Sequence, residues 1–96
     1  MNKIYISGPI SGHDLRERKE AFNVAAQRLH SAGYTPVNPF DLIVPDEATY
    51  EEHMKEDLKA MLGCDAIYML KGWAQSHGAR VENVIAIECG LKVIFE

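Results

Sequence analysis

Residues 3–9 read KIYISGP, and this short segment sets the architecture of the chain. Its centre, Ile4 to Ile6, is β-branched and aromatic, which predicts a β-strand at residues 3–7. Gly8-Pro9 ends the strand and predicts a turn. A strand that closes on a tight turn near the N-terminus is a typical first half of a strand–turn–helix unit.

Helices and strands alternate from this point to the end of the chain. Apolar residues recur at helical spacing from Asp14 to about Ser31, and Gly33 supplies a stop, which predicts a helix. Thr49 and Glu52 are spaced as a capping box, which predicts the start of a second helix. The other predicted elements are strands at residues 34–37, 65–70 and 91–95, a loop at 40–48, and helices at 49–63 and 79–89.

The predicted order βαβαβαβ indicates an α/β fold with a small doubly wound parallel sheet, flavodoxin-like or Rossmann-like. We expect about four strands with helices on both faces. Ligands of such sheets bind beyond the carboxyl ends of the strands. We therefore expect a site formed by residues 7–12, 38–41 and 71–78.

Length, charge and cysteine content limit the class of protein. A chain of 96 residues allows one domain, which we place at 1–96. The net charge is −4 and the basic residues are scattered, so we expect no nucleic-acid partner. Cys64 and Cys89 lie far apart and belong to no CxxC or metal-binding motif, so we expect two buried thiols in a reducing compartment. With no signal peptide or membrane span in the sequence, we expect a cytoplasmic protein.

Cofactor and partner expectations follow from the same features. The four histidines share no ligand spacing, so we expect no metal site. Neither a dinucleotide-binding nor a Walker A pattern is present, so we expect no cofactor. Sites in short chains are often completed by a neighbouring subunit, so we expect a homo-oligomer, a dimer or larger, that binds a small molecule.

Asp57 is unusual for a residue that only packs. At about 100° per residue it falls beside the apolar Tyr50 and Met61, not among the lysines of the second helix. A carboxylate there costs free energy unless it is paired or reached by solvent. It is either a helix-edge Asp that caps a loop or meets an Arg, or a carboxylate that points into a cleft.

Glu82 is the second unusual carboxylate. The predicted apolar face of the last helix consists of Val81, Val84, Ile85 and Cys89. Glu82 lies at the edge of this face and in the predicted first turn, where free backbone N–H groups favour an anion. Helix-dipole complementation is therefore one interpretation and a functional carboxylate another. Glu88 falls inside the same arc, so the helical wheel alone does not single out Glu82.

Small and flat residues near the predicted strand ends complete the candidate site. The small residues at 7–12 would let backbone approach a ligand, or they only form a tight turn. Ser76 either contacts a ligand or is only the N-cap of the last helix. Tyr5 and Trp73 either orient a flat ligand or pack in the core. The residues that we expect to contact a substrate are Ser7, Gly8, Ser11, Gly12, Asn38, Trp73, Ser76 and Gly78.

A series of short motifs runs in order along nearly the whole chain. The motifs are Ile4-Tyr5-Ile6-Ser7-Gly8-Pro9, Ala21-Phe22-Asn23, Ala32-Gly33-Tyr34, Val37-Asn38-Pro39, Asp57-Leu58, Cys64-Asp65, Gly72-Trp73, Ser76-x-Gly78-Ala79-x-x-Glu82, Ala86 and Gly90. Together they resemble the nucleoside 2-deoxyribosyltransferase superfamily. Within that superfamily the chain looks most similar to a group of short bacterial and phage proteins of unassigned function.

The resemblance implies roles for the unusual residues. Glu82 matches a nucleophile, Asp57 matches a carboxylate that transfers a proton at the nucleobase, and Tyr5 matches a residue that orients the nucleophile. Ser76 matches a serine that holds the 5′ end of the sugar or its phosphate. Ser7 and Gly8 match the start of a sugar-phosphate loop.

The implied function is N-glycosidic bond cleavage or transfer on a 2′-deoxynucleoside or its 5′-monophosphate. A carboxylate stabilises or traps the sugar cation, and a second carboxyl group protonates the leaving base. Ser76 replaces an acidic residue of the transferase branch, which favours the monophosphate and hydrolysis, and Val84 replaces a common Gly. The alternatives are a non-catalytic protein that binds a nucleotide or nucleotide-sugar, and a structural protein whose cleft is a relic.

Overall fold

A computed structural model of the protein describes residues 2–96, so the first residue of the predicted domain 1–96 lies outside them. Every predicted strand and helix is present. The strands are β1 at Lys3–Ser7, β2 at Thr35–Val37, β3 at Ala66–Met69 and β4 at Lys92–Phe95. The helices are α1 at Leu15–Ser31, α2 at Tyr50–Leu62 and α3 at His77–Glu88. Short 3-10 turns at Pro39–Asp41 and Trp73–Gln75 lie in loops.

The strands form one parallel sheet in the order β2-β1-β3-β4. The chain runs outward from β1 to β2 and then crosses back to β3, so the strand order reverses beside β1. The predicted doubly wound α/β fold is therefore confirmed. The reversal places the carboxyl ends of β1 and β3 at the position where such sheets bind ligands.

Alternate residues of each strand face two separate cores. The α1 core contains Ile4, Ile6, Phe22, Ala25, Leu29, Ala66 and Leu70. The α2–α3 core contains Tyr5, Met61, Cys64, Ile67, Met69, Ala79 and Ala86. Helix α1 thus covers one face of the sheet, and α2 and α3 cover the other.

The helix starts are set by local caps. The predicted capping box at α2 is confirmed, because the Thr49 hydroxyl accepts from the Glu52 N–H and the Glu52 carboxylate accepts from the Thr49 N–H. Helix α3 begins at His77 because the Ser76 hydroxyl accepts from the Ala79 N–H at 3.3 Å. The predicted start at Ala79 was too late. Glu82 is the sixth residue of α3, beyond its first turn, so the helix-dipole interpretation of Glu82 is wrong.

The buried face of α3 also differs from the prediction. It consists of Ala79, Glu82 and Ala86, whereas Val84 and Cys89 are exposed. The two alanines are small enough to let α3 lie close to the sheet. Ile85 of the predicted face is partly buried and packs against the α2–α3 core. The expectation of a buried Cys89 is therefore wrong, while Cys64 is buried as predicted. Along residues 2–96, no helix combines the length and the hydropathy that crossing a membrane requires.

Candidate active site

Glu82 is held from below by two residues of β1. The Ser7 hydroxyl donates to Glu82 Oε1 at 2.6 Å, and the Tyr5 hydroxyl donates to Oε2 at 2.9 Å. Tyr5 and Ser7 are two positions apart on one strand and therefore point to the same face. All three side chains are buried, with Glu82 6% exposed. Both oxygens of the carboxyl group thus have a donor, as a buried carboxylate requires.

A cavity of about 630 Å³ opens above Glu82 at the carboxyl end of the sheet. Its size is within the range of small-molecule sites. Its polar or small lining residues are Gly8, Ser11, His53, Asp57, Ser76, His77, Gly78, Ala79 and Glu82. Its apolar and aromatic lining residues are Ile10, Leu15, Pro39, Phe40, Leu42, Val44, Tyr50 and Met54. The cavity therefore combines two carboxyl groups with a largely apolar and aromatic lining.

Asp57 lines the same cavity from α2 and is partly buried. The apolar stripe beside it divides along the helix. Met61 is fully buried in the α2–α3 core, whereas Tyr50 and Met54 line the cavity, and Tyr50 is exposed. Asp57 lies on the part of the stripe that turns from core to cavity. Of its two interpretations, the structure agrees with the carboxylate that faces a cleft.

Burial alters the acidity of both carboxyl groups. It raises the pKa of Glu82 to about 7, although the hydrogen bonds from Ser7 and Tyr5 act in the opposite direction. Partial burial raises the pKa of Asp57 to about 6, against a lowering by His53. Burial, together with the charges of Glu82 and Asp57, raises the pKa of Tyr5 well above its ordinary value. Tyr5 is therefore a permanent donor, and the two carboxyl groups titrate near neutral pH.

The cavity brings together six of the predicted site residues: Glu82, Asp57, Gly8, Ser11, Ser76 and Gly78. Tyr5 and Ser7 lie behind Glu82 and contact it, but they do not line the cavity.

Three predicted contact residues lie elsewhere. The Asn38 side chain bonds Asn23 and the Phe40 N–H, which caps the 3-10 turn after β2. The Trp73 ring packs against the α2–α3 core and lies 5.7 Å from the Phe95 ring. Gly12 lies in the exposed turn before α1, outside the cavity lining, with a positive φ of 80°.

Sequence reasoning missed His53 and the part of the apolar lining that follows the predicted site segment 38–41. Leu42 and Val44 lie in a segment predicted only as a loop, and no periodicity marks them. His53 precedes Asp57 by four residues on α2, so a helical wheel places the two side chains on one face. That spacing was the available signal for His53. His77 was placed in the suspected region and lines the cavity as the first residue of α3.

Within residues 2–96, no group of three or more His, Cys, Asp or Glu residues is placed to hold a metal ion. The fold and cavity define an α/β domain with two carboxyl groups at the switch point of a parallel sheet. The chain belongs to the family described as domain of unknown function DUF4406, whose model matches residues 2–95. No curated protein matches the sequence.

Two solved structures are similar to this one. A 2-deoxyribosyltransferase from Bacillus psychrosaccharolyticus has a TM-score of 0.75 and 21% identity, over 97% of this chain and 70% of that chain. The CMP N-glycosidase BcmB of Clostridium botulinum has a TM-score of 0.67 and 19% identity, over 97% of this chain and 66% of that chain. The chain therefore has the fold of these proteins, and the predicted resemblance to 2-deoxyribosyltransferases is confirmed for the fold.

Proposed function

We propose that this protein cleaves or transfers the N-glycosidic bond of a 2′-deoxynucleoside or its 5′-monophosphate. The observation that carries the proposal is the pair of carboxyl groups, Glu82 and Asp57, in one cavity, with Glu82 fixed by two donors. Paired carboxyl groups are the usual machinery of glycosidic chemistry. The names of the two similar structures support glycosyl transfer or cleavage as the general class.

Glu82 acts as the nucleophile in this mechanism and Asp57 as the general acid. The bond between C1′ and the base nitrogen breaks, and its electron pair leaves with the base, which takes the proton of Asp57. A Glu82 oxygen then forms a bond to C1′ and neutralises the sugar cation. In the second step water, or another base, displaces Glu82 at C1′, and the Asp57 carboxylate removes the proton of the incoming group.

The reaction requires one proton on the pair, located on Asp57. The pKa values of about 7 for Glu82 and about 6 for Asp57 make the singly protonated pair the main form between these two pH values. In the free protein that proton favours Glu82. A base bound over Asp57 would remove water from its partly exposed carboxyl group and raise its pKa, which moves the proton to the productive position.

The pH profile is the first test of this arrangement. We expect kcat/KM to follow a bell-shaped curve with its maximum between about pH 6 and pH 7, because kcat/KM reports the ionisation of the free protein. The measurement is the initial rate of free-base release at substrate well below KM over a buffered pH series. A rate that rises steadily through neutral pH would contradict a mechanism that needs one shared proton.

Substitution of Glu82 is the decisive test of activity. We expect Glu82→Ala to lower kcat by about 10³-fold or more, measured by chromatography of free base from a panel of deoxynucleosides and their 5′-monophosphates. Glu88→Ala is the matched control, because Glu88 is exposed on the same helix. Wild-type protein that releases no base from any member of the panel would contradict the proposal.

A second candidate function is binding of a nucleotide or nucleotide-sugar without chemistry. A pKa of about 7 leaves Glu82 about half protonated at neutral pH, which favours this candidate because a protonated carboxyl group is a poor nucleophile. Calorimetry separates the two functions. Tight binding of an intact nucleotide that is recovered unchanged would favour the binding protein.

We also propose that the protein is a homo-oligomer. Val84 and Ile87, one turn apart on the outer side of α3, are each 58% exposed, which is high for large apolar residues of one helix face. Light scattering coupled to size-exclusion chromatography tests this, and Val84→Glu is expected to shift the protein to monomer. A wild-type mass equal to one chain would contradict the proposal.

A further inference from the structure

Ser7 has a place in the structure that the sequence did not indicate. It is the last residue of β1 and only 1% exposed, although the preceding expectation placed it against a substrate. Its hydroxyl has one hydrogen to donate, and that hydrogen is directed at Glu82 Oε1 over 2.6 Å. A serine so buried, with its one donated hydrogen used, has none left to give to a sugar or a phosphate.

This contact is one of two hydrogen bonds that hold the Glu82 carboxyl group. Ser7 holds Oε1 and Tyr5 holds Oε2, and both donors come from the same rigid strand. Rotation of the carboxyl group about its last carbon–carbon bond would lengthen both hydrogen bonds together. One donor alone would restrain that rotation less than two, so Ser7 and Tyr5 together fix the orientation of the Glu82 carboxyl group.

The contact also acts on charge. A hydroxyl donor stabilises the ionised carboxyl group more than the protonated one, and it opposes the effect of burial. The other titratable groups that contact Glu82 or share its cavity are Tyr5 on β1, Tyr50, His53 and Asp57 on α2, and His77 at the start of α3. Of these, Asp57 carries a negative charge when ionised and disfavours ionisation of Glu82.

We propose that Ser7 is a positioning residue, which fixes the orientation of the Glu82 carboxylate and favours its ionised form through a buried hydrogen bond. The proposal rests on the proposed function, in which Glu82 attacks C1′. Ser7 itself touches neither sugar nor base. Its contribution therefore falls on the chemical step and not on substrate binding.

The test compares Ser7→Ala and Ser7→Cys with Ser7→Thr, which keeps the hydroxyl, and with Ser31→Ala, an exposed serine at the end of α1. Two quantities are measured. The first is kcat and KM for base release across the pH series. The second is the titration of the Glu82 carboxyl carbon by NMR in protein labelled with ¹³C-glutamate, with the signal assigned from Glu82→Gln. The second measurement needs no substrate, so it reports on Ser7 even if the protein has no turnover.

We expect Ser7→Ala to move the Glu82 titration upward by about one pH unit or more, because the ionised carboxyl group loses one of its two hydrogen-bond donors. The same variant should lower kcat by about 10-fold or more with little change in KM. Ser7→Thr should restore both quantities toward wild type, and Ser7→Cys, a weaker donor, should lie between. A Glu82 titration that is the same in Ser7→Ala and Ser7→Cys as in wild type would overturn the proposal. So would a rise in KM at unchanged kcat, which would assign Ser7 to substrate binding.

Discussion

The two faces of β1 are equally buried but chemically different. Ile4 and Ile6 enter the α1 core, where all the buried cluster residues are apolar. Tyr5 and Ser7, the alternate residues of the same strand, bind the buried carboxyl group of Glu82. One strand therefore separates an entirely apolar core from a core that also holds a buried carboxyl group.

The difference shows where a short chain can place a buried charge. A carboxyl group against the α1 core would have no donor and would cost several kcal/mol. Against Tyr5 and Ser7 it has two donors, and the remaining penalty appears as a raised pKa instead of a failure to fold. The alternation of one strand is sufficient to create both environments.

The largest expected effect on stability comes from a cavity made in the α1 core. We expect Leu29→Ala to lower the free energy of unfolding by about 2–5 kcal/mol, because it leaves a cavity in a face that one helix covers. Urea denaturation at neutral pH measures the loss. Leu62→Ala is the control, since Leu62 is 49% exposed and its removal should change stability by about 0.5 kcal/mol or less. Equal losses for the two leucines would contradict the assignment of the core.

The next effect concerns the charge of Glu82, on the side of the sheet opposite to the α1 core. Glu82 releases its proton near pH 7 when folded, against an ordinary value of 4.5. Between these values the folded state binds more protons, so its stability falls as the pH rises. The contribution is fully present below the ordinary value and is lost as pH rises through about 7.

Glu82→Gln removes this dependence because an amide does not titrate. The quantity compared is the free energy of unfolding of the variant minus that of wild type, measured by urea denaturation at about pH 4.5 and about pH 8. We expect this difference to rise by about 3 kcal/mol from the lower to the higher pH. Glu88→Gln, on the exposed side of α3, should show no such change. If the difference in unfolding free energy between variant and wild type is the same at both pH values, Glu82 is not a buried titrating group.

The sequence predicted the order of strands and helices better than the contacts between them. The β-branched and aromatic residues of β1 and the helical spacing in α1 predict these elements, because both signals are local in the chain. Asp57 could be identified because a carboxylate interrupts a regular apolar stripe. Ser7 and Tyr5 lie 75 and 77 positions from Glu82, and no local period carries a contact over such a separation. The resemblance alone implied that Tyr5 orients Glu82, and nothing in the sequence implied the contact of Ser7 with Glu82.

The cavity wall was harder to predict for a different reason. Phe40, Leu42 and Val44 come from a loop, where side-chain direction depends on individual turns and not on a repeat. The predicted α3 face was wrong at Val84 and Cys89, because the prediction followed side-chain size. Close packing instead selected the small residues Ala79 and Ala86.

A smaller effect is expected at Gly8, where the two faces meet. A Cβ on Gly8 would lie 2.8 Å from Leu70 Cβ, so the α1 core would have to shift. We expect Gly8→Ala to lower the free energy of unfolding by about 1–3 kcal/mol. Gly63→Ala is the control, because its Cβ would meet nothing closer than 3.6 Å. Equal stability of the two variants, measured by thermal denaturation, would contradict this close approach.

The smallest effect gives the sharpest comparison of the two faces, because the same change is made on each. Ile6 and Ile67 are both fully buried, Ile6 in the α1 core and Ile67 in the α2–α3 core. Ile→Val at either position should cost about 0.5–1.5 kcal/mol of unfolding free energy.

Their effects on the reaction should differ. Ile67 is the cross-strand partner of Tyr5, so a lost methylene there loosens the support of a residue that holds Glu82. We therefore expect Ile67→Val, and not Ile6→Val, to lower kcat by a few-fold at unchanged KM. Steady-state kinetics on the two purified variants, each shown to be folded by circular dichroism, decide the point. If both variants keep wild-type kcat, the Tyr5 contact tolerates the gap, and control of Glu82 is confined to its two hydrogen bonds. If both lose kcat equally, the separation between the stabilising face and the reactive face is wrong.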